Sequence, residues 1–403
     1  MKRTANATIT FILAATYGLY GGGFETGLKT VSGAGMAGTQ VAFANTSSAA
    51  VFNPAAIGFL PKKMMLSAGI TGVISKSAYF ESGTENITSD HPSQFLPAAC
   101  LSFKFNERIG AGMAYFSSFG YHHRWDDNWP GRFVTNESKL GISTLQPSVS
   151  FTFSEMFSFS ASALFHNGIY EHRKAIPTGN NEGEALLNGK GSGMGFMLGS
   201  FIRYNENFSA GLTFKWNGNL KLKNSTLEYS RIPVSWQDMY PGYDAFDITF
   251  RLPYSITAGA SISFNEELIT TAEVSYTGWK RLDSLYFSAS VSDAGPVSLR
   301  LNNSLAGRLG VQYAFIEEFI VTGGVAYEIS PYNSDYLMPA FPDANKVVFA
   351  LGTEFKPKPN FSFDLAAGME NLFERKGVDG VNYFFGSYNS KRYFFGAAIN
   401  YHF

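Results

Sequence analysis

Cysteine is almost missing from this sequence: Cys100 is the only one in 403 residues, which excludes an internal disulfide framework and any cysteine-rich metal site. Charge is scarce as well, at 16%, and balances to a formal net charge of −1 with no block of basic residues. The electrostatic footprint of a nucleic-acid partner is therefore absent. Beyond the N-terminus no run approaches the roughly 18 apolar residues that a membrane-crossing helix requires. What is plentiful is aromatic surface, with 38 Phe and 21 Tyr bringing the aromatics to 16%. Such a balance is far from that of an ordinary water-soluble enzyme, and if a membrane receives these side chains, strands must cross it.

The start of the chain indicates the compartment. Lys2 and Arg3 precede a short apolar stretch over residues 9–19, which ends in the small residues Gly21, Gly22 and Gly23. That layout predicts a signal peptide over residues 1–22 and an extracytoplasmic mature protein, since the apolar part is too short to span a bilayer.

Strict alternation of apolar and polar residues marks a strand with two different faces. Over residues 157–166, Phe157, Phe159, Ala161, Ala163 and Phe165 oppose Ser158, Ser160, Ser162 and His166. Ala210, Leu212, Phe214 and Trp216 oppose Ser209, Thr213, Lys215 and Asn217, and the pattern returns over residues 361–370. An apolar outside and a polar lumen account for all three. Short polar turns fall at residues 106–108, 154–155, 205–207, 265–267, 317–318 and 356–360, and longer polar segments centre near Glu85, Asp127, Glu182, Trp236, Asp293, Asp335 and Asp379. Six short turns alternating with seven long loops predict an all-β, antiparallel transmembrane barrel of about 14 strands, with both termini periplasmic. The competing reading is a secreted β-sandwich or propeller, which would bury its apolar faces against another layer.

Residues 23–61, rich in Gly, Ala, Ser and Thr, show little alternation and are expected to sit inside the barrel as an N-terminal hatch, leaving residues 62–403 as the barrel. The last strand carries Tyr393, Phe395, Ala397, Ile399, Tyr401 and Phe403 on one face. Its terminal aromatic resembles the signal by which outer-membrane barrels engage their assembly machinery.

Within the hatch, Gly23-Phe24, Ser32-Gly33-Ala34-Gly35-Met36-Ala37-Gly38 and Phe52-Asn53-Pro54-Ala55-Ala56 resemble the FadL/TodX (OMPP1) family of outer-membrane transporters. Further matches are Trp129-Pro130-Gly131-Arg132-Phe133, Gln146-Pro147-Ser148, Leu252-Pro253, Thr277-Gly278-Trp279 and Phe341-Pro342-Asp343-Ala344. The resemblance covers nearly the whole mature chain. It implies a fourteen-stranded barrel in the outer membrane of a Gram-negative cell, surrounded by lipid and lipopolysaccharide. Hydrophobic molecules, long-chain fatty acids foremost, would be captured among the outer loops and held beside the N-terminus. Hatch movement would then release them sideways through the wall. It also implies a gating hatch that includes Phe24, Gly33, Gly35, Gly38, Asn53, Pro54 and Ala55. One departure is Ala44-Asn45-Thr46-Ser47-Ser48, where an acidic pair often precedes the family's Asn-Pro-Ala, and gating through that pair is not carried over.

Each motif has a plainer reading. Pro54 fixes φ and Asn53 can bond the neighbouring backbone, which an ordinary turn would also use. Gly33, Gly35 and Gly38 are spelled like a dinucleotide fingerprint, but no hydrophobic strand precedes them; Gly183 to Lys190 lacks the spacing of a phosphate loop. His122, His123, Asp126 and Asp127 could suggest a metal or hydrolase site, but a solvated loop explains them, and no cofactor, metal or enzymatic activity is expected. Arg203, Lys215 and Arg308 have inward phase, where a fatty-acid carboxylate would need a cationic partner. The alternative is lumen salt bridges to Asp364 or Glu273. Leu186 and Leu187 in the third long loop, and Trp236 and Met239 in the fourth, are candidates for a capture groove, with loop self-packing as the competitor. The expected ligand is a fatty acid or an aromatic hydrocarbon; a general porin and a surface receptor or adhesin are the other functional classes.

Overall fold

The computed structural model describes residues 24–81, 86–90, 92–240, 243–282, 284–289, 297–298, 300–380 and 382–403. The expected signal peptide and the loop centres near Glu85 and Asp293 lie outside the described residues. Fourteen strands form the wall: β1 Met64–Phe80, β2 Ser93–Lys104, β3 Ile109–Arg124, β4 Glu137–Ser154, β5 Phe157–Thr178, β6 Asn181–Arg203, β7 Phe208–Ser230, β8 Tyr254–Ser263, β9 Leu268–Gly278, β10 Ser304–Ile316, β11 Phe319–Glu328, β12 Lys346–Lys358, β13 Phe361–Asp379 and β14 Phe384–His402. Each pairs antiparallel with its sequence neighbour, and β1 also pairs with β14 from Met65↔His402 to Phe80↔Ser387. The sheet is thereby closed, which removes the unpaired outer edges that a bilayer could not hydrogen-bond.

The two faces follow the alternation. On β5 the inward Ser158 is 0% exposed while the neighbouring Phe159 is 48% exposed. Met113, Val149, Leu198, Leu212, Leu309 and Leu351 continue the apolar outer band. Phe105, Phe153, Phe264, Phe315 and Phe403 gather at the end carrying the short turns, as an interfacial aromatic girdle does. All six short turns occur near where the sequence places them, the second shifted to residues 155–156 and the last reduced to residues 359–360 because β12 runs on to Lys358.

Two of the expected long loops are not loops. β5 and β6 continue to a tight turn at Gly179 and Asn180, with Gly179 at φ 76°, and β13 and β14 meet across residues 380–383. Leu186 and Leu187 thus belong to β6 rather than to a loop. Strands can rise past the bilayer while their outer face meets water instead of lipid. The outward residues there become polar, and the sequence loses its apolar alternation although the ladder persists. β7 divides: its lower part pairs with β8, from Phe208↔Ile262 to Trp216↔Tyr254, and its upper part pairs with an added strand, Tyr243–Arg251. Gly218, at φ 67°, stands at the division.

Residues 24–60 pack against the inward side chains and backbone of several strands. Helix α1, Val31–Gly35, is capped by Thr30, whose Oγ1 accepts from the Gly33 N–H at 3.1 Å. Helix α2, Ala49–Phe52, is followed by a 3₁₀ turn, Pro54–Phe59. Asn53 Oδ1 accepts from the Ala55 N–H, and Pro54 takes the first position of the turn, where its missing N–H costs nothing. Small side chains let this segment approach the wall, and wall side chains satisfy its carbonyls: Gln146 Nε2 donates to Ala50 O at 2.8 Å and Ser209 Oγ to Ala42 O at 2.8 Å.

Asn53 is fully buried and donates to Val41 O at 2.9 Å and to Ser200 O on β6 at 3.0 Å, which joins both limbs of the inner segment to the wall. A Cβ on Gly211 of β7 would lie 2.2 Å from Val41 O and 2.9 Å from Asn53 Nδ2. Gly211→Ala is therefore expected to lower stability by about 1–3 kcal/mol, as overpacking does. Gly307→Ala, with nothing within 4 Å of the new Cβ, is expected to be neutral. Urea midpoints of the two variants in detergent test this, and equal midpoints would contradict it.

Candidate functional site

Above the inner segment, the lumen is filled by apolar side chains from the upper parts of the strands and the long loops. Trp125 and Trp129 stack with ring centroids 4.5 Å apart, and Tyr121 meets Phe341 at 4.8 Å. Leu187, Leu220, Leu222 and Ile248 add fully buried aliphatic surface. At the base of this cluster stands Phe24, packed edge-on against Phe119 at 5.7 Å and Trp279 at 4.8 Å. Loop residues also brace it: Trp125 Nε1 donates to Pro339 O at 2.8 Å, and buried Asp343 accepts from Ser330 Oγ at 2.6 Å.

Immediately below, the lining changes to charge. Across six successive strands the inward ionic residues alternate in sign: Glu273, Arg308, Glu328, Lys346, Glu370 and Arg392. Register makes this possible, since Glu273↔Arg308, Glu328↔Lys346 and Glu370↔Arg392 are direct cross-strand partners. Neighbouring members pair, at 3.6 Å for Arg308 with Glu273, 2.7 Å for Arg308 with Glu328, 3.0 Å for Lys346 with Glu328 and 3.2 Å for Arg392 with Glu370. On the other side Lys215 of β7 and Lys29 hold Glu25 at 2.5 Å and 3.0 Å. Burial alone would raise the Glu25 carboxyl, but the two ammonium groups outweigh it and hold it well below the usual carboxylate range.

Glu25 also belongs to a break in the wall. β2 pairs with β3 only from Ala98↔Phe116 to Lys104↔Gly110; residues 93–97 pair with β1 alone, and Pro97, which has no N–H, stands where the β2–β3 ladder stops. The edge of β3 left open is irregular between Ser117 and Phe119. The inner segment covers it: Thr26 N–H donates to Ser118 O at 3.1 Å and Gly120 N–H to Phe24 O at 2.9 Å, around a bridge between Glu25 and Phe119. Arg124 and Asp90 close the top of the gap at 3.2 Å. Two cavities meet here. One, of about 90 Å³, lies in the lumen beside Lys29, Lys215 and Arg308; the other, of about 50 Å³, lies at the gap beside Leu96, Gly120 and Tyr121. Both border Glu25 and Thr26, and both are well below the roughly 300–1,000 Å³ of a typical ligand site.

The expected residues thus fall in different places. Lys215 and Arg308 face the lumen cavity, each in ion pairs, Arg308 with Glu273 as the plainer reading has it; Asp364 instead accepts from Asn400 at 2.8 Å. Arg203 also points inward but lies deeper, donating to Phe59 O at 2.8 Å and stacking on its ring. Leu187 is in the aromatic cluster, while Leu186 on the other face of β6 is partly exposed. Trp236 and Met239 sit on the surface of their loop, with Trp236 stacked on Tyr240. Gly33 abuts the Phe52 ring, Gly35 abuts Gly352 of β12, and Gly38 adopts φ 88° beside Arg308. His122 bonds Glu137 at 2.8 Å and Asp127 pairs with Arg173 at 2.9 Å; among the described residues no group of His, Cys, Asp and Glu could hold a metal. Glu25, Lys29, Lys346, Arg392 and Trp125 are lumen residues outside the expected set, and Trp129 and Trp279 were expected only as parts of motifs. For Lys346 and Arg392 the available signal was inward phase on an alternating strand.

An apolar outer band, a closed wall of fourteen strands and an apolar upper lumen over a folded inner segment define a transport barrel of the outer membrane. The chain belongs to the family of outer membrane protein transport proteins (OMPP1/FadL/TodX), whose family model matches residues 12–403. Outer membrane protein P1 of Haemophilus influenzae is 20% identical, over 88% of this chain and 87% of that protein. Among solved structures, a Pseudomonas aeruginosa FadL homologue is similar with a TM-score of 0.83 at 20% identity, over 95% of this chain and 100% of the other. The Pseudomonas putida toluene transporter TodX is similar with a TM-score of 0.74 at 16% identity, over 95% and 98%. The protein is accordingly an outer-membrane transporter of a Gram-negative cell, in a family of channels for hydrophobic compounds.

A carboxyl depressed in the fold contributes stability above its ordinary value, 4.5 for Glu25, and loses it as pH falls through the lower folded value. Hydrogen-exchange protection at the Thr26 and Gly120 amides is expected to hold through the neutral and mildly acidic range and to fall only well below 4.5. Loss of protection near neutrality would contradict the ion-paired assignment.

Proposed function

We propose that the protein carries long-chain fatty acids inward across the outer membrane. The acyl chain enters the aromatic cluster from the outer loops, its carboxylate descends to the cations beneath, and the ligand leaves sideways through the gap between β2 and β3 once residues 24–26 withdraw. In this reading residues 24–60 are the hatch, anchored at Asn53-Pro54-Ala55 and movable at Phe24. The observation that carries the reading is the juxtaposition of a break in the β2–β3 ladder with an apolar lumen and its charged floor. An aqueous route would expose the chain at about 0.8 kcal/mol per CH₂, whereas exit into the bilayer keeps it in apolar surroundings. Lys29, Lys215 and Arg308 favour an acid over an aromatic hydrocarbon, which has no anionic group to offer them.

Uptake of a radiolabelled long-chain fatty acid by cells whose only such transporter is this protein tests the substrate, with toluene as comparison. Leu96→Trp, which fills the gap, is expected to cut uptake about tenfold or more while fatty-acid binding by the purified protein persists. Uptake of toluene alone would move the substrate to aromatics. A large stable conductance in planar bilayers without uptake of either would favour a general porin.

A further inference from the structure

Glu25 has three roles at one point. Its side chain is held between Lys215 and Lys29, its backbone forms the bridge that covers the open edge of β3, and it borders both the lumen cavity and the gap cavity. Of the residues that line both cavities, Glu25 is the charged one. We propose that Glu25 is a resident stand-in for the ligand's carboxylate: an amphipathic acid entering from above exchanges with it at Lys215 and Lys29, and the exchange frees residues 24–26 from β3. This inference rests on the transport reading given above and adds to it a chemical selection step.

The exchange is favourable only for an anion. Removing Glu25 from the buried Lys215 and the half-buried Lys29 without replacement leaves like charges unpaired in the lumen, the situation that makes breaking a buried pair so costly. A second carboxylate restores their partner, whereas an alcohol or a hydrocarbon does not. The displaced Glu25 carboxylate is not stranded either, because Arg308 lines the same cavity. The apolar tail meanwhile competes for the surface that Phe24 covers against Phe119 and Trp279, so head and tail act on adjacent residues of one short segment.

The test uses full-length protein in nanodiscs with palmitic acid, hexadecanol and toluene as probes. Palmitate is expected to lower exchange protection at the Thr26 and Gly120 amides, and hexadecanol to leave it unchanged. Glu25→Gln, with Glu25→Ala as a second variant, is expected to bind palmitate about tenfold more tightly, as loss of a competing charge-assisted contact implies, with hexadecanol affinity unaltered. Lys215→Met is expected to erase the preference for palmitate over hexadecanol. If both ligands gain equally in the Glu25 variants, or hexadecanol frees Thr26 as well as palmitate does, the stand-in is overturned while the transport reading stands. If none of the three probes binds the unaltered protein, the transport reading fails and this inference with it.

Discussion

A bilayer offers no hydrogen bonds to a backbone. Every N–H and C=O at membrane depth must find its partner within the protein, and the architecture of this chain follows from that single demand. Closing β1 onto β14 meets it for the wall as a whole. It is not met where β2 and β3 part, and there the inner segment supplies the missing partners through Thr26 and Phe24. The feature that interrupts the wall and the feature that covers it are thus two sides of one requirement. A segment that satisfies an edge from inside can also leave it, provided something compensates for the loss.

The interior is layered accordingly. Aromatic and aliphatic side chains occupy the upper lumen, an ionic belt lies beneath them, and small residues of the inner segment fill the lower part against wall glycines such as Gly211 and Gly352. Each layer needs the next. The ionic groups tolerate burial because neighbouring strands present opposite signs in register, and the inner segment holds its position because Asn53 spans both of its limbs and the wall.

Much of this could be read from the residues themselves. Fourteen strands were legible because lipid outside and polar lumen inside impose a period of two, and the short turns because Asn and Glu interrupt it abruptly. The tall hairpins near Gly179 and residues 380–383 were not, since above the bilayer water bathes the outside and the period fades while the strands go on. Inward cations were correctly phased at Arg203, Lys215 and Arg308, yet their depth and partners depend on register. Lys215 meets Glu25 across 190 residues of sequence, and no local pattern announces such a meeting. Trp236 and Met239, apolar in a polar loop, lie on its surface, whereas Leu187, expected in a loop on the same ground, lies on β6 and faces the lumen, because strand geometry rather than loop composition sets which side a residue takes.

The alternating belt bears on the barrier that the membrane must keep. Selective pores commonly gather one sign of charge into a ring, which lowers the barrier for the opposite ion. Here each charge from Glu273 to Arg392 stands beside its opposite, so the belt presents neither a cation ladder nor an anion ladder to a solute at its centre. A barrel so lined can serve a hydrophobic compound without becoming an electrical shunt through its middle, and the membrane keeps its barrier to salt.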